Sequence, residues 1–297
     1  MTKYIHGYTR KEQDRLFRQS VFLESYIYNK IDFSNCNHII EIGCGVGAQI
    51  QILLNHFPHL KITGVDISEA QISCAGEFLK PHIEAGRVSL HITHGEVLPF
   101  PDQSFDGALI CFVLEHINNP LYLLKEVKRI MQSGTNLYCT EAFNTGLYIH
   151  PTCLAFQTYW KIFNRYQEQL NGDPNVGVKL SNLALQSGFS ETTLDYIPLY
   201  LDGRTKNMSQ RTDFIDFITE VLLSAAPALI ALEKITPLLP DAMILELQEI
   251  KNNQDSIFVW PLEQLKAVKC AEFSCSAQEM SNGEVVAEEI CRSDFSR

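Results

Sequence analysis

Residues 37–50, NHIIEIGCGVGAQI, decide the fold. The first six, NHIIEI, are an apolar run of strand type. Residues 48–57 read as a helix, which Pro58 closes. Between them lies Glu41-Ile42-Gly43-Cys44-Gly45-Val46-Gly47. Glycine permits a tight turn there and lets the backbone approach a ligand closely. The helix start offers free N–H groups to an anion or carboxylate. Strand, glycine turn and helix in that order predict a nucleoside-binding α/β unit.

Working outward, residues 60–66 (LKITGVD) form a second strand, ending at Asp66. Asp66 lies 21 residues beyond Gly45, where an acidic side chain can accept hydrogen bonds from both hydroxyls of a ribose. The competing role is a cap for the next helix. That helix spans 69–80 and is closed by Pro81. Residues 87–92 form a third strand, and 105–113 (FDGALICFV) a fourth, apolar enough to be buried on both faces. A helix over 119–131 ends near Gly134, and 135–141 (TNLYCTE) form a fifth strand. Five alternations predict a doubly wound α/β sheet.

The second half is less regular. Helices are predicted over 10–30, 151–170, 178–187 and, as two or more, 211–252. Residues 171–177 (NGDPNVG) form a loop, 190–201 a strand, and 256–260 (SIFVW) a last strand that Pro261 ends. Residues 271–297 read as an acidic tail.

The glycine spacing, G-x-G-x-G with Glu41 two residues before it, departs from the nicotinamide fingerprint G-x-G-x-x-G. In this it resembles the class I S-adenosylmethionine-dependent methyltransferases. Gly95-Glu96-Val97-Leu98-Pro99-Phe100 is similar to that family's segment after the third strand, with Glu96 where the family usually has Asp. Phe105-Asp106 resembles the pair that opens the fourth strand, and Val113-Leu114-Glu115-His116 the segment at its end. Residues 4–19, with Tyr4-Ile5-His6-Gly7-Tyr8 and then Glu12, Arg15, Leu16 and Gln19, resemble the opening of some bacterial methyltransferases. The resemblance implies a Rossmann-like, mostly parallel sheet of seven strands, with S-adenosylmethionine as cofactor. It also implies a lid of N-terminal helices over 1–34, a core from 35–202 and 256–270, and a helical cap at 203–255. The cofactor contacts it implies are Tyr8, Glu41, Gly43, Cys44, Gly45, Gly47, Asp66, Ile67, Glu96, Val97 and Phe112.

Methyl transfer from sulfonium sulfur needs alignment and exclusion of water, and a general base if the acceptor is a hydroxyl or an ammonium. His116, at the end of a core strand, is one candidate base, with packing as its other role. His150, at the sheet's carboxyl edge, either faces substrate or stiffens a loop. Glu141 either orients an acceptor or caps a helix. Phe143, Tyr148, Phe156, Tyr159, Trp160, Phe163 and Tyr166 form either core or an aromatic cap over the sulfonium. No D/N-P-P-Y/F motif follows the fourth strand, which sets aside methylation of nucleobase amino groups.

The net charge of −11 disfavours nucleic acid as a partner. Arg10, Lys11, Arg15 and Arg18 read as a solvated helix face. The nine scattered cysteines are read as buried or free thiols in a reducing cytosol, with no metal site. No apolar run approaches ~18 residues and no export signal opens the chain, so a cytoplasmic protein with no membrane partner is expected. The acceptor is expected to be a small organic molecule methylated at O, N or C. A peptide or protein acceptor, or a regulatory protein that binds cofactor without turnover, is the alternative. A homodimer through the helical additions would account equally well for their apolar surfaces.

Overall fold

The computed structural model describes residues 4–93 and 97–270. Strands β1 (His38–Ile42), β2 (Lys61–Asp66), β3 (Val88–Ile92), β4 (Phe105–Cys111) and β5 (Met131–Ala142) pair in parallel in the order 3-2-1-4-5. The first crossovers are α2 (Ala48–His56), then α3 (Glu69–Phe78) with α4 (Lys80–Glu84), and α5 (Pro120–Ile130) precedes β5. Side chains alternate across the sheet. Ile39 and Leu109 join one buried cluster, while Ile40, Ala108 and Ile110 join another, against Leu124 and Val127 of α5.

Three strands follow. β6 (Tyr148–His150), β7 (Glu191–Asp202) and β8 (Ile257–Val268) bring the sheet to eight, one more than expected. β8 runs antiparallel to all its partners: β7 along its whole length on one side, β5 and then β6 on the other. The expected stop at Pro261 is therefore corrected, since the strand continues to Val268. Pro261 sits opposite Pro198 of β7, and its carbonyl accepts from Phe143 N–H on the other side (3.1 Å). The proline nitrogen points to that same side, where the chain has left β5 for a turn at Asn144–Gly146. No ladder bond is lost.

Pro81 likewise opens α4 instead of closing a helix, as its missing N–H permits in a first turn. α5 ends at Ile130, before Gly134, which lies inside β5 with φ +81°.

Helix α1 (Arg10–Ile27) packs on α2 and on α8 (Met208–Ala231). α6 (Leu154–Gln169) and α9 (Leu238–Asn252) pack on α8 and on each other, and α7 (Leu180–Gln186) lies against α5 and β7. α8 is long and apolar enough to cross a membrane, and half of its apolar window is buried inside the protein. Asp213, Asp216 and Glu220 interrupt its sequence, which is why a search for a continuous apolar run passes over it. Phe156, Tyr159, Phe163 and Tyr166 of α6 are buried in the core. The tail at 271–297 lies outside the described residues.

Candidate active site

The strand order reverses between β1 and β4, and the crevice beyond their carboxyl ends is where open α/β sheets bind ligands. A cavity of about 680 Å³ occupies it. One end is built from the turn after β1 and the end of β2. Gly43, Gly45 and Gly47 have φ of +71°, +50° and +77°, values that L side chains rarely adopt.

The three glycines differ in what a Cβ would meet. At Gly43 it would lie 2.4 Å from Val113 Cγ2, so the turn can pass only without one. At Gly47 it would lie 2.6 Å from Leu79 Cδ1, so this glycine serves packing, and it is not among the residues that line the cavity. At Gly45 it would meet only Leu16 Cδ1, at 3.9 Å, and would fill cavity space.

Asp66 lines the same end and holds the backbone on both sides of it. Oδ2 accepts from Gly45 N–H (2.9 Å), while Oδ1 accepts from Ser68 N–H (2.8 Å) at the start of α3. Each oxygen retains acceptor capacity toward the cavity. Burial raises its pKa against the opposing effect of these bonds. Ile67 and Val97, both exposed, line the cavity as apolar wall, as do Tyr8, Cys44 and Phe112. Phe112 holds φ +56°, a strained value for an aromatic residue, at the point where the chain turns out of β4. Glu96 lies outside the described residues.

Glu41, expected as a cofactor contact, is buried behind the residues that line the cavity. Its Oε2 has no hydrogen-bond partner among the described residues, and burial, then the charge of Asp66, drives its pKa well up. Tyr28 Oη, Gln49 Oε1 and Gln71 Oε1 are also buried and unpartnered, and these three residues do line the cavity.

Two catalytic candidates lie elsewhere. His150, on β6 opposite Ile257, borders a separate hollow with Tyr148 and Lys161. Glu141 is fully buried at the end of β5 and accepts from the backbone N–H groups of Val113 (2.9 Å), Leu114 (2.7 Å) and Glu115 (3.3 Å). It is a clamp on the turn after β4, where its carboxylate ends the chain's exit from the sheet. His116 does line the cavity, with Nε2 3.5 Å from Glu115 Oε1. Burial depresses its pKa, partly offset by Glu115.

The other end of the cavity is apolar. Leu23 and Ile27 of α1, Leu199 of β7, Phe217 and Val221 of α8, and Trp260 and Leu262 of β8 form its wall. None of the seven aromatic residues between 142 and 176 named as a possible cap lines it. Arg15 is not on a solvated face, as its neighbours Arg10 and Arg18 are. It is buried, bonds Glu12 through two nitrogens (2.7 Å each) and Gln19 (2.5 Å), and faces the cavity. The hint in sequence is the spacing Glu12…Arg15…Gln19, which puts the three side chains on one helix face.

Comparison with known proteins agrees with this geometry. A family model described as a methyltransferase domain matches residues 40–139. "O-methyltransferase rstn1" of Aspergillus nomiae is 32% identical over 194 residues, covering 64% of this chain and 81% of that one. "O-methyltransferase resE" of Aspergillus sclerotiorum is 29% identical over 162 residues, covering 54% of this chain. The chain matches 57% of the length of that second relative. Among solved structures, Haemonchus contortus phosphoethanolamine N-methyltransferase 2 with S-adenosylhomocysteine aligns with a TM-score of 0.56 at 15% identity, over 87% of this chain and 58% of that one. The [4+2]-cyclase SpnF aligns with a TM-score of 0.50 at 17% identity, over 87% and 82% of the two chains. Motif, sheet order, cavity and sequence similarity together place the chain in the class I S-adenosylmethionine-dependent methyltransferases, with S-adenosylmethionine as its cofactor.

Proposed function

We propose that the chain methylates a hydroxyl group on an apolar, ring-bearing small molecule. The observation that carries this reading is the two-ended cavity. A polar end fits the cofactor: Gly45 leaves room for it, Asp66 offers acceptors for its ribose, and Gln49 Oε1 offers an unpartnered acceptor for its amino group. When bound, the cofactor supplies an electrophilic methyl carbon on positive sulfur. Ile67 and Val97 present flat apolar surface to its purine, and Gly43 and Gly45 bring the backbone against its amino-acid part.

The apolar end then holds the acceptor. Leu199, Phe217, Val221, Trp260 and Leu262 reward burial of an uncharged ring system and penalise an unpaired charge. Such walls also exclude water from the reacting groups. The two fungal relatives are themselves named O-methyltransferases, which favours oxygen over nitrogen or carbon as the methylated atom.

The test has two stages. Calorimetric titration with S-adenosylmethionine is expected to show binding that Asp66→Ala weakens about 10- to 100-fold, the loss of hydrogen bonds to a charged acceptor. Incubation with a panel of mono- and polycyclic phenols and matched anilines should then release S-adenosylhomocysteine and methyl ethers from the phenols. Methylation of the anilines alone, or of nothing on the panel by a chain that binds cofactor, would reject a hydroxyl acceptor.

A further inference from the structure

We propose that His6 is the base that removes the acceptor's hydroxyl proton, and that Ser224 of α8 is the positioning residue that fixes its tautomer. The assignment rests on the hydroxyl acceptor proposed above.

A count of hydrogens leads to it. Ser224 Oγ lies 2.6 Å from the carbonyl oxygen of Val221, which has no proton to give. The single hydroxyl hydrogen of Ser224 is therefore donated there. Ser224 Oγ also makes a short contact with His6 Nδ1, and must accept in it. His6 then carries its proton on Nδ1, and Nε2 holds a free lone pair. Among the described residues Nε2 makes no hydrogen bond, and it is not a sealed-off atom. The imidazole lines the cavity.

The surroundings keep that ring neutral. Burial lowers its pKa well below the usual histidine value, and Arg15 of α1 and His116 after β4 add to the effect. Tyr4 from its own segment meets it edge-on at 5.1 Å, and Phe163 of α6 contributes an uncharged face at 5.8 Å. The carboxylates nearby are engaged elsewhere: Glu12 with Arg15, and Glu115 with His116 and Gln167. His116 is the weaker candidate, because its Nε2 faces Glu115 Oε1.

His6 also stands where the two ends of the cavity meet. Tyr4, beside it, stacks on Tyr8, which lines the cofactor end with Asp66. Val221, whose carbonyl takes the Ser224 proton, lines the acceptor end. In the step, the acceptor O–H bond breaks and its proton passes to His6 Nε2. The electron pair left on oxygen forms the bond to the methyl carbon as the carbon–sulfur bond breaks, its pair staying on sulfur. The imidazolium then returns its proton to solvent.

The experiment has a spectroscopic and a kinetic arm. In the wild-type chain with ¹⁵N-labelled histidine, long-range proton–nitrogen spectra at neutral pH should show His6 protonated at Nδ1 alone, and Ser224→Ala should mix the tautomers. A proton on Nε2, or on both nitrogens, overturns the proposal. In the kinetic arm, 4-methoxyphenol keeps its proton at mildly alkaline pH while 4-nitrophenol is largely ionised. His6→Gln should lower kcat about 10²- to 10⁴-fold on the former and far less on the latter. Its dissociation constant for S-adenosylmethionine, measured by calorimetry, should stay within about three-fold of wild type. Ser224→Ala should lower kcat on 4-methoxyphenol about ten-fold, with KM held. Equal losses on both phenols, or full activity in His6→Gln, overturn the role of His6 alone. A wild-type chain inactive on every phenol of the panel overturns the hydroxyl reading, and this assignment with it.

Discussion

The two ends of the cavity are built by opposite means. The cofactor end is centred on two nearby pieces of chain, the glycine turn after β1 and the strand end at Asp66, shaped by where side chains are missing. The acceptor end is assembled from elements far apart in the chain. Gln264 Nε2 reaches the carbonyl of Ile27 (2.9 Å), His6 meets Ser224, and Arg18 pairs with Glu220 (2.9 Å). Each contact joins residues about 200 or more positions apart. The difference teaches that backbone shape suffices where the ligand is fixed, while side chains close the part of the site that selects. The first end should therefore break when an atom is added, and the second when one is removed.

The largest effect is expected where α1 borders the cavity. Glu12 and Arg15 form a buried ion pair, with side chains 2% and 6% exposed. Glu12→Ala leaves the guanidinium buried with Gln19 as its remaining side-chain partner among the described residues, and should cost about 3–5 kcal/mol of stability. Urea unfolding checks this. A loss below about 1 kcal/mol would mean that water reaches Arg15 and that the wall is looser than the bonding implies.

At the cofactor end the matching change is an addition. Gly43→Ala puts a methyl 2.4 Å from Val113 Cγ2 at a φ of +71°, and should destabilise by about 2–3 kcal/mol. Adding Val113→Ala removes both nearest atoms, and should recover the clash while about 1 kcal/mol of left-handed strain remains. Gly45→Ala is the contrasting control, since its methyl enters open cavity. It should cost only the left-handed strain of about 1 kcal/mol and reduce cofactor binding. Thermal melts with and without S-adenosylmethionine separate the two outcomes.

The same contrast explains what could be read from sequence. β1 to β5 are local runs whose apolar pattern and glycine punctuation specify them, and all five are present, β5 beginning earlier than expected, at Met131. Asp66 is legible because its spacing from the glycine turn is set by one helix and one strand. β8 is misread at Pro261 because a proline's acceptability depends on which neighbour its nitrogen faces, a tertiary fact. His150 looks like a carboxyl-edge residue until β6 adds to β8 and carries it to another hollow. Arg15 looks solvated because the spacing of Glu12, Arg15 and Gln19 puts them on one helix face but does not say that this face is covered. For His6, the one sequence signal is its place in the Tyr4–Tyr8 motif, and its partner lies 218 residues away.

Glu141 acts behind the cavity wall, and its effect should be the smallest and the most dependent on pH. From β5 it clamps Val113, Leu114 and Glu115, so it holds the turn that carries His116 and that bears on Gly43. Burial, then the charge of Glu115, raises its pKa above the usual carboxylate range. The folded chain therefore keeps a proton that the unfolded chain has already released. Its contribution is fully present in acid and is lost as pH rises through the raised value. Glu141→Gln cannot titrate, and it turns an amide N–H₂ toward Glu115 N–H. In acid the variant should be less stable than wild type by about 1 kcal/mol. As pH rises that gap should close, because only the wild-type side chain must keep, in the folded chain, a proton that the unfolded chain has released. Glu41, raised for the same reason, tilts both chains alike, so the difference between them isolates Glu141. Unfolding free energies from acid to mildly alkaline pH test this, and a gap that widens with pH would show the carboxylate to be ionised and preferred, held by its three backbone donors against burial.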